Sequence, residues 1–344
     1  MSSAQAPATP AGERSPYIVA GSLILCGALG GLFYYKWGGA LRTLAKVRGV
    51  GVWSGTADAL TTGGTLAQSL FYFHRIWIAL VYGLLVGAAV CAFVPPRRIA
   101  ALLGSGPALR RQVAGGLAGA PLMLCACCVT PIFQGVYERG ARLGSALSLM
   151  LASPGLNPAA LLLTFLLFPA PLALARVGAA LVVVFGLPPL LERGAGTSLV
   201  APLGATALAA EPPSSSGDVL VRYIRALGYL ALRTIPLVVV GVALSSVIMP
   251  VFATFSTAGA AIVVIVVATG AVLAALPTFF EIPLALVFLK LGLPGAAVAL
   301  LIAGPIVNLP SLLILARETR PRLALGLALG VWTLAVGAGL LFSL

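Results

Sequence analysis

Acidic side chains are almost missing from this sequence. Its 344 residues hold eight Asp and Glu, one His and 21 Lys and Arg, so only 8% of positions are charged. Soluble domains carry roughly 25%. No water-facing surface can be coated at that density, and 60% of the residues are hydrophobic, with a mean hydropathy of +1.10. A soluble enzyme, a disordered protein, a coiled coil and a secreted disulfide scaffold are all excluded. The alternating ten-residue pattern of an outer-membrane barrel is missing too, because the apolar segments are unbroken runs. No Walker A loop, dinucleotide fingerprint or zinc-protease motif is present, so neither ATP hydrolysis nor a bound cofactor is expected, and the chain does not read as an enzyme. The net charge of +13 does not mark a nucleic-acid binder, since the basic residues sit between apolar runs rather than on one arm. What remains is an all-α, multi-pass integral membrane protein whose surroundings are the lipid bilayer.

The apolar runs are Tyr17–Tyr35, Ile76–Phe93, Val113–Cys128, Leu143–Phe168, Pro171–Leu191, Leu227–Met249, Ala258–Leu276, Pro283–Leu289, Leu293–Ala316 and Leu323–Leu344. A full crossing needs about 20 residues. Val113–Cys128 is short of that, and Pro283–Leu289 is far too short. Residues 1–16 read as a disordered tail. Residues 17–75 read as a first membrane helix followed by a Gly-rich interfacial segment. A linker at 192–219, with Pro212-Pro213-Ser214-Ser215-Ser216-Gly217, separates 76–191 from 220–344.

The two parts resemble each other. At one fixed offset of 151 residues, Gly144 matches Gly295, Ala146 matches Ala297, Ala152 matches Ala303, Pro154 matches Pro305 and Asn157 matches Asn308, without a gap. Ala and Leu coincide easily in membrane helices; Gly, Pro and Asn do not. An internal duplication is the reading. If Val113–Arg142 and Ala258–Lys290 are hairpins that enter the membrane and return, an odd number of crossings is left in each half, and the halves are inverted relative to each other. With the N-terminus inside, that topology collects Arg14, Arg97, Arg98, Arg110, Arg111, Arg139, Arg142, Arg193, Arg222, Arg225, Arg233, Arg317, Arg320 and Arg322 on the cytoplasmic side, and positive charge favours that side. About seven to nine membrane segments result, depending on whether the hairpins cross.

The matched Pro and Asn residues carry the first functional signal. Proline removes a backbone donor and disfavours helix just before it. Asn157 followed by Pro158 is an N-cap followed by proline at the first helical position, and Asn308 with Pro310 is nearly the same. Each break ends one half-helix and starts another at membrane depth. Such backbone is tolerated only where it is buried in protein or lines a cavity. Two breaks in an inverted pair are a common way to build a transporter's binding site. The plainer alternative is a pair of proline kinks.

The second signal is Cys125-Ala126-Cys127-Cys128-Val129-Thr130-Pro131 at the tip of the first expected hairpin. Thiols are soft ligands for Cu(I), Zn and other thiophilic centres, trivalent arsenic among them. Cys26 and Cys91 stand alone and read as small packing residues. Three cysteines in four positions exceed what packing asks for, and they read as candidate metal ligands. The offset sets Thr278 and Glu281 opposite Cys127 and Thr130. Glu281 is the acid enclosed by apolar sequence on both sides. A carboxylate at the bilayer centre costs roughly 2.5–3.5 kcal/mol, so it faces a cavity or stays protonated, which suits proton coupling. The competing reading is an interfacial acid near Lys290. Gln134, Tyr137 and Glu138 follow the cysteine break and are weaker candidates for lining the site. His74, in Phe71-Tyr72-Phe73-His74-Arg75, belongs to an interfacial aromatic and basic belt.

The first signature, Cys125 to Pro131 followed by Gly140, Gly144 and Ala152-Ser153-Pro154-Gly155-Leu156-Asn157-Pro158, resembles that of the predicted-permease family. That family includes the bacterial arsenic-operon permeases that export trivalent organoarsenicals. Ala303-Gly304-Pro305-Ile306-Val307-Asn308-Leu309-Pro310-Ser311 resembles its second signature. The similarity runs over roughly residues 76–344. Members often show Cys-Ser-Cys where this chain has Cys125-Ala126-Cys127-Cys128, and polar or cysteine residues where it has Thr278 and Glu281. The resemblance implies a secondary-active permease of a bacterial inner membrane that exports a small thiol-reactive solute. Its substrate site is expected at Cys125, Cys127, Cys128, Pro154, Asn157, Thr278, Pro305 and Asn308, with Glu281 for coupling. A small anion held at the half-helix N-termini is the alternative. A membrane thiol oxidoreductase using Cys125 and Cys128 is a third reading, though it needs neither the duplication nor the second break. A homo-oligomer stays open.

Overall fold

The computed structural model describes residues 16–50, 65–94, 96–195, 216–253, 259–276 and 279–343. The expected tail before residue 16, most of the linker, and Thr278 lie outside them. Among the described residues all regular structure is helical. Helix α1 spans Pro16–Val50 and α2 spans Thr65–Phe93. The first half continues with α3 (Ala108–Gly119), α4 (Thr130–Glu138), α5 (Leu143–Gly155), α6 (Pro158–Leu167) and α7 (Ala170–Leu181), which runs on through a π-helical turn into Leu187–Ala195. The second half holds α8 (Ser216–Ala253), α9 (Ala260–Leu273), α10 (Glu281–Lys290), α11 (Pro294–Ile306), α12 (Leu309–Glu318) and α13 (Pro321–Leu341).

The 151-residue offset reappears in these bounds. It carries the start of α2 onto that of α8, α4 onto α10, and α7 onto α13. It carries both ends of α5 onto α11 and of α6 onto α12. The punctuation explains this. Proline stands in the first turn of α4, α6, α7, α11, α12 and α13, where its missing N–H is no loss. Pro154 and Pro305 sit in the last turn of α5 and α11, where they prevent further ladder bonds.

Leu143–Leu167, Ala170–Gly194, Leu220–Leu244 and Pro321–Leu341 are each long and apolar enough to cross a bilayer, and α11 with α12, joined across a 41° bend, qualifies as a fifth. The paired short helices α3–α4 and α9–α10 do not. The run at Ala258–Leu276 looked long enough to span, but α9 keeps 14 residues. At 1.5 Å per residue that is about 21 Å, against a hydrocarbon core of about 30 Å. A second difference lies near the N-terminus. Helix α1 continues past Tyr35 to Val50, because no proline interrupts that stretch, and α2 begins ahead of Ile76.

The exterior is apolar and the interior partly polar, the reverse of a soluble fold. Leu117, Leu174, Leu232, Leu325 and Leu329 are exposed, while Arg176, Ser153, Asn157, Thr234, Glu281, Asn308 and Ser311 are buried. Helix α3 packs on α5, and α9 and α10 pack on α11. Across the halves, α2 lies on α8, α5 on α11, α10 on α6 and α12 on α4. Residues assigned by charge to one side of the membrane meet in space. Glu192 pairs with Arg111 at 3.6 Å and Arg142 at 4.0 Å, and Arg233 reaches both Glu138 and Glu318 at 3.5 Å.

Candidate functional site

The cysteines sit in a compact turn between α3 and α4. Helix α3 ends in a short 3-10 turn, Ala120–Leu122, after which Met123 takes a left-handed backbone conformation that halts the helix. The amides of Cys128 and Val129 both donate to the Cys125 carbonyl at 3.1 Å, and the Thr130 hydroxyl donates to that of Cys127 at 2.6 Å. This folds the three side chains onto one another. All three Sγ atoms lie within 4.8 Å, with Cys125 to Cys127 at 3.4 Å and Cys127 to Cys128 at 3.9 Å. Sulfurs bound to one soft centre at about 2.3 Å stand roughly 3.8 Å apart, so the cluster has nearly the spacing such a centre needs. All three are buried.

Backbone-to-backbone contacts hold this tip in place. A side chain at Gly83 would run into the Cys128 carbonyl, and one at Gly87 into that of Pro131. Glycine at both positions lets α2 lie directly on the hairpin. From α5, the Ser153 hydroxyl accepts from the Leu124 amide at 3.0 Å, tying the tip to the residue before Pro154. Lys36 of α1 is 4% exposed and acts electrostatically on Cys125.

Both breaks are capped as the sequence reading expects. Asn157 Oδ1 accepts from the amides of Ala159 (3.0 Å) and Ala160 (3.2 Å). Asn308 Oδ1 accepts from Ser311 (3.0 Å), whose hydroxyl accepts in turn from the Asn308 amide (3.1 Å). Gly155 faces Ile306, so the two breaks pack against each other. Replacing either Asn by Ala leaves buried donors unsatisfied. The expected loss is about 0.5–2 kcal/mol of stability. Thermal unfolding in detergent reads it, and an unchanged midpoint in both variants would mean the caps are idle.

Glu281 opens α10 and is 2% exposed, beside Gly304 of the second break. The reading of an interfacial acid near Lys290 is overturned. Lys290 is exposed at the far end of α10, while Glu281 accepts from Arg176 Nη2 at 2.9 Å. Arg176 Nη1 donates to the Thr164 hydroxyl at 2.7 Å, and Thr164 donates to the Ala160 carbonyl at 2.7 Å. The ion pair thus reaches from the second hairpin to the half-helix that Asn157 caps. Sequence reasoning missed Arg176. The signal was there: a lone arginine inside the apolar run Pro171–Leu191, which is rare without a partner.

Gln134, Tyr137 and Glu138 lie elsewhere, in a network facing α8 and α12. Gln134 accepts from Thr234 (3.2 Å), Glu138 from Tyr229 (3.0 Å), and Tyr137 stacks on Phe133. Glu138 and Glu318 are buried as well, so Glu281 is not the sole enclosed acid; both were hidden by neighbouring charges in the sequence.

Residues 65–193 match a family described as predicted permease. The chain is 29% identical over 307 residues to the UPF0718 protein YraQ of Escherichia coli (strain K12), covering 87% of each. No solved structure matches. The chain is thus similar to predicted permeases, and its several helices long and apolar enough to cross a bilayer fit a multi-pass membrane protein.

Proposed function

We propose that this permease is a secondary-active exporter of a small thiol-reactive solute, a trivalent organoarsenical or a soft metal ion, in a bacterial inner membrane. The observation that carries the reading is the buried trio Cys125, Cys127 and Cys128, with mutual spacings suited to one soft centre. A trivalent arsenical would exchange its hydroxyls for cysteine sulfurs. Each As–S bond formed breaks one As–O bond, and the thiol proton leaves with the hydroxyl as water. A metal ion would instead displace the protons to solvent. In this reading the two halves are an inverted repeat, and α3–α4 and α9–α10 are re-entrant hairpins whose tips approach the paired breaks. The meeting of Glu192 with Arg111 and Arg142 supports one shared side for those segments.

An anion held by free half-helix N-termini is less well supported, because the Asn157 and Asn308 caps already engage amides that such an anion would use. Uptake of an arylarsenous acid into proteoliposomes tests the main reading, and uptake no faster than into protein-free vesicles overturns it. Glu281 is the proposed coupling residue. Glu281→Gln keeps an acceptor for Arg176 but cannot exchange a proton, so transport by that variant is expected to ignore an imposed pH gradient. A response equal to that of the parent would remove Glu281 from coupling.

A further inference from the structure

The duplication supplies an internal control for the buried ion pair. At the 151-residue offset, Glu281 corresponds to Thr130, Thr164 to Leu315 and Arg176 to Leu327. The setting is equivalent, since α10 packs on α6 as α4 packs on α12. Thr130, Leu315 and Leu327 are fully buried and carry no charge. The fold therefore fills one copy of this place with apolar packing and a hydroxyl. A buried ion pair is seldom the more stable choice, because desolvating both ions offsets most of their attraction. The charges at the other copy call for a reason beyond packing.

The geometry of Arg176 supplies one. It is 1% exposed, yet Glu281 is bound through a single nitrogen, Nη2, and the buried Nε has no partner. A fixed arginine–carboxylate pair commonly uses two parallel hydrogen bonds. Here one buried donor is left over, which costs free energy unless something else takes it in another state. Around the pair, α6 and α11 hold no ionisable residue, Arg176 is the one charge of α7, and Lys290 is at the opposite end of α10.

We infer that Arg176 is the receptor for an anionic group on the substrate, and that Glu281 is the internal anion that holds its place between turnovers. This rests on the permease reading and narrows its substrate to thiophiles that also carry a carboxylate or similar oxyanion. When the substrate anion takes the guanidinium, Glu281 loses its partner in apolar surroundings and takes up one proton from water. One negative charge and one proton enter and leave together, so the step is an electroneutral symport, and export by it proceeds where the outward gradient of the substrate exceeds the inward gradient of protons. When the anion leaves, Glu281 gives up the proton and returns to Arg176. The coupling proton and the substrate anion then answer to the same arginine.

The test uses the full chain in proteoliposomes with two probes, a neutral arylarsenous acid and the same compound bearing a ring carboxylate. The parent is expected to favour the carboxylated probe by about tenfold or more, the scale of a charge-assisted hydrogen bond. Its transport should respond to a pH gradient and be insensitive to a potassium diffusion potential. The variant Thr164→Leu/Arg176→Leu/Glu281→Thr copies the residues of the other half. Its ratio between the probes should fall to near one, whatever its absolute rate. Equal handling of the two probes by the parent, or a rate that follows the potential, overturns the inference and leaves the permease reading standing. Movement of neither probe by the parent removes the permease reading itself. Failure of the copied variant to insert would also overturn the inference, by showing that the fold needs the charges. The two-probe comparison on the parent depends on no variant.

Discussion

The variant Cys125→Ser/Cys127→Ser/Cys128→Ser is expected to lose the proposed thiophile binding while keeping its fold. Serine is nearly the size of cysteine and is well tolerated between membrane helices, and the turn is built from backbone bonds at the Cys125 and Cys127 carbonyls that the exchange leaves alone. What disappears is the soft donor set. Thiolate-rich sites hold their centres with apparent free energies of about 10–16 kcal/mol. Hard hydroxyls replace little of that, and a loss of at least a thousandfold, roughly 4 kcal/mol, is expected. Titration of the purified protein with an arylarsenous acid reads the affinity, and growth on arsenicals reads the consequence. Binding as tight as in the parent would show that the cysteines only pack.

Arg176→Ala is expected to be the most damaging single change to stability. It leaves Glu281 as a carboxylate 2% exposed with no counter-charge, and it strips Thr164 of its donor. Breaking one side of a buried pair typically costs about 3–5 kcal/mol. Removing both charges, as in Arg176→Leu/Glu281→Leu, should restore most of that loss. A thermal melt of the two variants in detergent separates them. Equal midpoints would mean that the pair is not tightly coupled. The comparison matters because a simple packing defect predicts the opposite order, with the double variant worse.

The parts of this fold written in local sequence were readable from it. Asn157-Pro158 and Asn308 with Pro310 announce their caps through the chemistry of three or four adjacent residues, and both caps form. The cysteine tip was marked by the composition of one heptapeptide and by Pro131. Contacts between distant segments left weaker traces. Arg176 and Glu281 are 105 positions apart. Nothing next to either one names the other, and an arginine near a membrane is more often a topology signal than a partner. The burial of Glu138 and Glu318 was obscured for a related reason: an arginine, Arg139 or Arg317, stands beside each in the sequence. Helix α1 misled in the other direction. Lys36 falls in the stretch read as interfacial, whereas in the fold it is buried on α1.

The glycine seam under the cysteine tip has a mechanical consequence. Gly83 and Gly87 bring α2 against the hairpin backbone, and Gly135 of α4 returns the contact on Gly87 and Cys91. Contacts of this kind have no side chain to change rotamer and no slack to slide through; interiors packed this tightly shift as units. The thiol tip therefore travels as a passenger of α2, with no hinge of its own. Where the halves meet at Gly155 against Ile306, and where Arg176 holds Glu281, the contacts are made by side chains instead. In the proposed exporter, then, grip and gate would be separate parts: a solute bound at the cysteines would be held by one backbone seam, away from the contact at which Arg176 holds Glu281.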